Sequence, residues 1–245
     1  MPLELTYTAE TNIPVEIEGL TPDAMRGESL DDIRRLEIFH GNQKLPLAEM
    51  FDVESSQRAD RSDDLEWHFH GDLSGVHWIG AHMQAGSIHV HGPAGRHLGS
   101  EMRGGSIRVD GDAGDWVGRE LRRGPIRVHG SAGHSVGAAY RGSRVGMKGG
   151  TIWIDGDVGN ELGHTMRRGW IAVGGKAGDM LGFNMLAGSL LVFGECGIRP
   201  GAGMRRGTLG LFGPNPPELL PTFRYACRYR PLAVQLMFRK LREQE

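Results

Sequence analysis

Apolar side chains in the middle of this chain come in pairs separated by one position: Ile88 and Val90, Ile107 and Val109, Ile126 and Val128, Ile152 and Ile154, Ile171 and Val173, Leu190 and Val192, Leu209 and Leu211. Alternation with period two, in a mostly β-branched run bounded by glycine, predicts a short strand with one buried face at each pair. Gly86, Gly105 and Gly124 mark these strands at intervals of 19 residues, and after one step of 26 the interval of 19 resumes through Gly150, Gly169, Gly188 and Gly207. Most units read MxxGxIxVxGxxGxxxG, as in Met102 to Gly118 and Met166 to Gly182. Three further columns are apolar: a small one (Ala94, Ala113, Ala132, Val158, Ala177, Cys196), a larger one (Leu98, Val117, Val136, Leu162, Leu181) and one led by methionine (Met83, Met102, Leu121, Met147, Met166, Met185, Met204).

Burying about five side chains per unit does not offset the conformational entropy of ordering its residues, so one unit cannot stand alone and stability must come from stacking. The expected fold is mainly β: a right-handed parallel β-helix-like solenoid over residues 61–213. Leucine-rich, hexapeptide and calcium-binding nonapeptide repeats need other signatures, which do not occur here. Leu65 to Gly80, with Trp67 and Phe69 at the strand positions, reads as a degenerate first unit and a cap. Residues 1–60 form a cap or docking segment with strand-like runs at Leu3 to Tyr7 and Pro14 to Ile17. A helix start is predicted at Ser29, where Asp32 takes the place of the usual capping-box Glu. Residues 214–245 form a proline-punctuated arm ending in a helix after Pro231.

Composition changes this picture little. The 39 glycines are turn punctuation in a folded repeat, and a net charge of −2 with no basic terminal run gives no support to nucleic-acid binding. No apolar run is long enough to span a membrane and the N-terminus lacks a basic segment followed by an apolar one, so a cytoplasmic location is expected. Cys196 and Cys227 lack metal-cluster spacing, so no iron–sulfur cluster is expected in this chain, and Cys196 sits in the small core column. Arginine dominates the basic residues, which is weak support for a bacterial source.

No active-site motif emerges. Outward positions form a column His68, His89, Arg108, Arg127, Trp153, Ala172, Leu191 and a second one His70, His91, Asp110, His129, Asp155, Gly174, Phe193, Phe212. The four N-terminal histidines lie close enough to consider a metal. Flat stacked strands rarely converge tetrahedrally and no carboxylate is evidently fixed in reach, so a polar ladder or a contact with another subunit is expected instead, with no metal ligand assigned. Asp110 and Asp155 are reminiscent of polysaccharide-cleaving β-helices, an alternative that His129 between them argues against. Toward the C-terminal end the outer face turns apolar. Trp153, Leu191, Phe193 and Phe212, with Phe223 in the arm, are interface candidates, to be covered either by the C-terminal arm or by a neighbouring subunit. A basic column, Arg103, Arg122, Lys148, Arg167 and Arg205, is either a solvated face or a surface for an acidic partner or polyanion. The long step inserts residues around Ala138 to Arg144, either a tolerated bulge or a contact loop whose preferred contacts are Tyr140 and Arg141.

The glycine-rich units resemble the repeat domain at the C-terminus of the glutamate synthase large subunit. The N-terminal run PVEIEGLTPDAMRGESLDDIRRLEIFHGNQKLPLAEMFDVE, the repeats and the LLPTF arm together resemble the C subunit of formylmethanofuran dehydrogenase. That family occurs in molybdenum or tungsten enzymes of methanogens and, as the C subunit of the formyltransferase/hydrolase complex, in formaldehyde oxidation by methylotrophic bacteria; the bacterial setting is preferred. The resemblance implies a non-catalytic scaffold subunit with no cofactor of its own, in one-carbon metabolism. Its partners would be hydrolase, formyltransferase and dehydrogenase-like subunits, which move formyl from formyl-tetrahydromethanopterin to a methanofuran analogue and hydrolyse it to formate. Such carriers bear glutamate-rich tails, which gives the basic column a conceivable ligand.

Overall fold

A computed structural model describes residues 2–55 and 65–242. The first strands are β1 (Leu3–Tyr7) and β2 (Val15–Glu16), followed by helix α1 (Leu30–Arg34) and strands β3 (Glu37–His40), β4 (Gln43–Pro46) and β5 (Phe51–Ser55). Ser29 caps α1 as its spacing predicts: its hydroxyl accepts from the Asp32 amide at 3.2 Å and donates to the Asp32 carboxylate at 2.5 Å. Two strands, β6 (Glu66–His70) and β7 (Val76–His77), lead into the repeats. These supply β8 (Ser87–Val90), β9 (Ser106–Val109), β10 (Pro125–Val128), β11 (Thr151–Ile154), β12 (Trp170–Val173), β13 (Ser189–Val192) and β14 (Thr208–Leu211). Helix α2 (Leu232–Arg242) follows the arm.

The protein is mainly β. A ten-stranded sheet runs β14-β13-β12-β11-β10-β9-β8-β6-β1-β5, and a four-stranded sheet runs β4-β3-β2-β7. From β6 to β14 every pairing is parallel and places equivalent residues opposite each other: Ile88 with Ile107, Ile107 with Ile126, Ile126 with Ile152, and on to Leu190 with Leu209. The small column forms a second line of parallel bridges from Leu73 through Ala94, Ala113, Ala132, Val158 and Ala177 to Cys196. A third line follows the methionines, where the amides of Arg103, Arg122, Lys148, Arg167 and Arg205 donate to the carbonyls of Met83, Met102, Leu121, Met147 and Met185 at 2.7–2.9 Å. Equivalent backbone groups therefore meet at several points around each unit. The paired strand residues and the methionine column fill one continuous core, with Ile88, Ile107, Ile126, Met102, Met147 and Met166 all at most 2% exposed.

Leu65 to Gly80 is not the terminal cap that its sequence suggests. β6 is an internal strand, with β1 parallel to it and β5 antiparallel at the edge. The stack therefore ends in an aromatic plug, where Phe51 meets Phe69 edge-on at 6.2 Å and Trp67 is 1% exposed. The boundary expected between residues 60 and 61 lies outside the described residues, and β1 places part of the N-terminal segment in the same sheet as the repeats.

The marker glycines turn the chain with positive φ, and stacking closes off their missing side chains. Gly105 has φ 76°, and a β-carbon there would overlap the carbonyl oxygen of Gly86. Two other corners use ordinary residues in the left-handed region. Trp78, His97, Trp116, Ser135, Glu161, Met180 and Arg199 form one such column, and His82, Glu101, Glu120, Thr165 and Asn184 another, with φ between 50° and 67°. Each costs about 1 kcal/mol for an L-residue. Amide bonds to the following unit offset it, as in His97 to the Asp115 carbonyl at 2.9 Å and Glu101 to the Arg119 carbonyl at 2.8 Å.

Gly142, in the insertion, also has positive φ (85°) but open space where a β-carbon would go. Gly105→Ala is expected to cost roughly 3 kcal/mol from strain plus overlap, and Gly142→Ala about 1 kcal/mol from strain alone. Urea unfolding midpoints of the two variants measure the difference; equal losses would mean that the stacking contact adds nothing.

Candidate functional site

The outward side chains of β6 to β11 and of the residues just after them form one polar surface, in the order that the register dictates. His68 lies opposite His89, His89 opposite Arg108, and Arg127 opposite Trp153. At the N-terminal end four imidazoles crowd together, with ring centroids of His70 and His91 4.5 Å apart and those of His89 and His91 3.8 Å apart. The expectation that no carboxylate is fixed in reach fails here. Asp110 Oδ2 lies 2.7 Å from His89 Nε2 and 3.4 Å from His91 Nδ1, while Glu4 Oε2 lies 2.6 Å from His70 Nε2. Burial pushes the Asp110 carboxyl up, but hydrogen bonds from His89 and Arg108 leave it below the ordinary carboxylate range. Burial, followed by the repulsion of the other histidines, pulls His91 below the ordinary imidazole value.

Two units further on, Arg127 Nη2 donates to both Asp155 oxygens at 2.9 and 3.0 Å, and its guanidinium stacks 3.8 Å from the centre of the Trp153 ring. His129 Nδ1 adds a contact to Asp155 Oδ2 at 2.8 Å. Arg127 Nε and Nη1 and His129 Nε2 are buried without a partner among the described residues. They lie beside a groove of about 540 Å³ floored by the outward side chains of β8 to β11, Ser106, Arg108, Arg127 and Trp153 among them. Both carboxylates that suggested polysaccharide cleavage are thus tied to basic partners on their own sheet face.

Beyond Trp153 the face becomes apolar and is covered from within the chain. Ala172 and Leu191 are 1% and 0% exposed, packed with Trp153 and Trp170 under Met237 and Phe238 of α2. Phe193 meets Phe238 at a tilt at 5.7 Å and Phe212 meets it edge-on at 5.2 Å, and both stay partly exposed. Phe223 of the arm lies over Gly201. Leu219, Tyr225 and Tyr229 of the same arm are exposed, as are Leu232 and Leu236 of α2.

The insertion builds a second groove, about 860 Å³, whose walls include Trp116, Arg119, His134, Tyr140, Arg141 and His164. Arg119 is 7% exposed, donates Nη2 to the Ala139 carbonyl at 2.8 Å and lies 4.0 Å from the centre of the Tyr140 ring. Burial, with the nearby Glu101 carboxylate, pushes the Tyr140 hydroxyl up to about 12. Arg141 is exposed at the rim. The basic column is only partly neutralised. Lys148 pairs with the buried Glu120 at 2.6 Å and Arg122 approaches Glu101 at 3.5 Å, whereas Arg103, Arg167 and Arg205 are exposed without an ion pair among the described residues.

One side-chain column escaped the sequence reading. The side chains of Asp112, Asp115, Asp157, Asn160 and Asp179 accept the amides of Ser131, His134, Lys176, Asp179 and Ile198, each 19 residues on, at 2.6–3.0 Å. Side-chain ring nitrogens substitute at two steps, His77 Nδ1 for the Arg96 amide and His134 Nδ1 for the Asn160 amide. An Asp or Asn recurring at the turn after the strand was the available signal.

The repeat region, residues 75–215, matches the family described as GXGXG motif, and the chain belongs to that family. Among characterised proteins it is similar to the C subunit of the molybdenum-containing formylmethanofuran dehydrogenase 1 of Methanothermobacter thermautotrophicus, with 40% identity over 94 residues, 38% of this chain and 22% of the relative. The C subunit of the tungsten-containing formylmethanofuran dehydrogenase 2 of Methanothermobacter wolfeii shows 37% identity over 88 residues, 36% of this chain and 32% of the relative. These alignments span less than a third of either relative. Among solved structures, a chain of the formyltransferase/hydrolase complex FhcABCD of Methylorubrum extorquens, in complex with methylofuran, superimposes with a TM-score of 0.86. That likeness carries 30% identity and covers 98% of this chain and 88% of the other.

Stacking also makes stability depend on pH. His97 is sandwiched between Trp78 (3.8 Å, parallel) and Trp116 (4.7 Å), and burial, then the Arg119 charge, lowers its pKa to about 4. Unfolded, it titrates near about 6.5. Between those values the unfolded chain holds a proton that the folded chain does not, so stability falls as pH drops from about 6.5 toward 4. In His97→Asn, whose side chain tolerates φ 62°, the urea midpoint is expected to fall less between about pH 7 and 4.5 than in the parent. A separate check concerns α2. A chain ending at Pro231 is expected to expose Leu191 and its neighbours, raising the fluorescence of an apolar-surface dye and promoting self-association in gel filtration.

Proposed function

We propose that this chain is the C subunit of a formyltransferase/hydrolase complex, and that it serves there as a non-catalytic scaffold. The single observation that carries the reading is a likeness to a chain of FhcABCD extending over 98% of this chain at 30% identity. The repeats are read as successive coils of a right-handed β-helix-like solenoid, which the parallel register and the second line of bridges support. In this reading residues 61–213 are the repeat body, residues 1–60 its cap and residues 214–245 a docking arm.

The partner subunits carry formyl transfer from formyl-tetrahydromethanopterin to a methanofuran analogue and its hydrolysis to formate, in the cytoplasm. Protein partners dock on the exposed aromatics of the arm, including Phe223, on the rim formed by Tyr140 and Arg141, and on the exposed cations Arg103, Arg167 and Arg205. Among the described residues no helix is long and apolar enough to cross a membrane. A second reading, the C subunit of a molybdenum or tungsten formylmethanofuran dehydrogenase, is favoured by the 40% identity over 94 residues to such a protein.

Native purification from the source cell, with identification of co-purifying chains, separates these readings. Hydrolase and formyltransferase subunits without molybdenum or tungsten are expected; an iron–sulfur or molybdopterin protein among the partners would replace the first reading by the second. The lone chain is expected to show no formyl transfer and no formate release, and turnover by it would end the scaffold reading. The triple variant Arg103→Glu, Arg167→Glu, Arg205→Glu is expected to lower partner affinity at least about tenfold, a loss of some 1.4 kcal/mol, with an unchanged unfolding temperature. Unaltered co-purification would remove the basic column from the interface.

A further inference from the structure

We propose that His68, His89 and His91 bind a divalent transition-metal ion of the zinc type across strands β6 and β8, with Glu66 and Asp110 as the carboxylates that orient the rings. The three residues each offer a ring nitrogen, and these atoms lie within 4.8 Å of one another. A tetrahedral zinc–imidazole site has metal–nitrogen distances of about 2.0–2.1 Å, and hence nitrogens about 3.4 Å apart, a contraction that rotation of exposed or half-buried rings supplies.

The carboxylates around the rings point the same way. His68 Nε2 faces Glu66 Oε1 at 3.4 Å, His91 Nδ1 faces Asp110 Oδ2 at 3.4 Å, and His89 Nε2 faces Asp110 Oδ2 at 2.7 Å. With those nitrogens protonated toward the carboxylates, the opposite nitrogen of each neutral ring carries a lone pair, which is the tautomer arrangement of a metal-ligating histidine backed by a carboxylate. Two of those nitrogens, His68 Nδ1 and His91 Nε2, confront each other at 2.8 Å. Facing lone pairs at that distance repel unless a cation lies between them. A hydrogen bond there needs one ring either to turn its proton away from its carboxylate or to carry a charge against its neighbours, in a cluster where His70 stacks 4.5 Å from His91. A metal ion removes the conflict with all three rings neutral, and water completes the fourth position.

The site follows from the register. Residues 68 and 89 are directly opposite on paired strands, residue 91 follows β8, and Asp110 follows β9, so two neighbouring strands supply the ligands and the next supplies the carboxylate behind them. The ion would staple the stack close to its N-terminal end, beside the strand that carries Glu4. Imidazole donors select zinc, cobalt, nickel or copper over magnesium and calcium.

The test uses the untagged full chain, stripped with chelator and titrated with Co²⁺ and Zn²⁺. About one equivalent is expected to bind, with cobalt absorption bands of a nitrogen-rich, four- or five-coordinate site and a rise in unfolding temperature on zinc addition. His89→Ala/His91→Ala should lose binding about 100-fold or more, and Asp110→Asn about 10-fold, through lost ring orientation. His129→Gln, on the same face but at a different carboxylate, should bind as the parent does. Circular dichroism of each metal-free variant confirms that it is folded, and Asp110→Asn gives an answer should the double variant fail to fold. Binding well below one equivalent, or equal binding by the parent, the double variant and Asp110→Asn, would overturn the proposal. Cobalt spectra with the intense charge-transfer band of thiolate ligation would also overturn it, moving the ion to Cys196 or Cys227.

Discussion

Everything in this molecule depends on register. Each unit donates amides to the equivalent carbonyls of its neighbour at the strand, at the small column and beside the methionines, so no unit can slide without breaking several ladders at once. A shift of one residue would also send every inward side chain of a strand outward. The glycines are the condition on which the ladders close, because at positions such as Gly105 the neighbouring backbone occupies the space of a β-carbon. Register is held equally by side chains, since Asp112, Asp115, Asp157, Asn160 and Asp179 each accept the amide of the next equivalent residue.

That constraint turns a sequence column into a spatial one, and the outer face is its consequence. Histidines at the N-terminal end, arginines with carboxylates in the middle and aromatics at the C-terminal end appear on one surface in sequence order, which grades from charged to apolar. Asp110 and Asp155 each gather basic side chains from adjacent units, because stacking places a residue of one unit beside those above and below. Where the gradient turns apolar the chain covers itself, Met237 and Phe238 closing over Leu191 and Ala172. The arm between β14 and α2 keeps its aromatic side chains Phe223, Tyr225 and Tyr229 at the surface. The insertion is the one interruption of the repeat spacing, and it is also where the chain builds the groove that holds the buried Arg119 under Tyr140.

The sequence by itself determined the strands, their interval, the inward columns, the cap of α1 and the family, because an alternating apolar pattern and a repeated glycine are local signals that survive in one dimension. It also placed the outward columns correctly, since equal spacing along the chain becomes adjacency once the units stack. Only the tertiary structure decided that β1 and β5, rather than Leu65 to Gly80, close the N-terminal end, for a strand's neighbour is set by which hydrophobic faces meet and not by its own residues. The same holds for Asp110 reaching two histidines, for Glu4 reaching His70 across 66 residues of chain, and for α2 settling over Leu191. Those contacts depend on side-chain reach between elements distant in sequence, and no spacing encodes a distance of that kind.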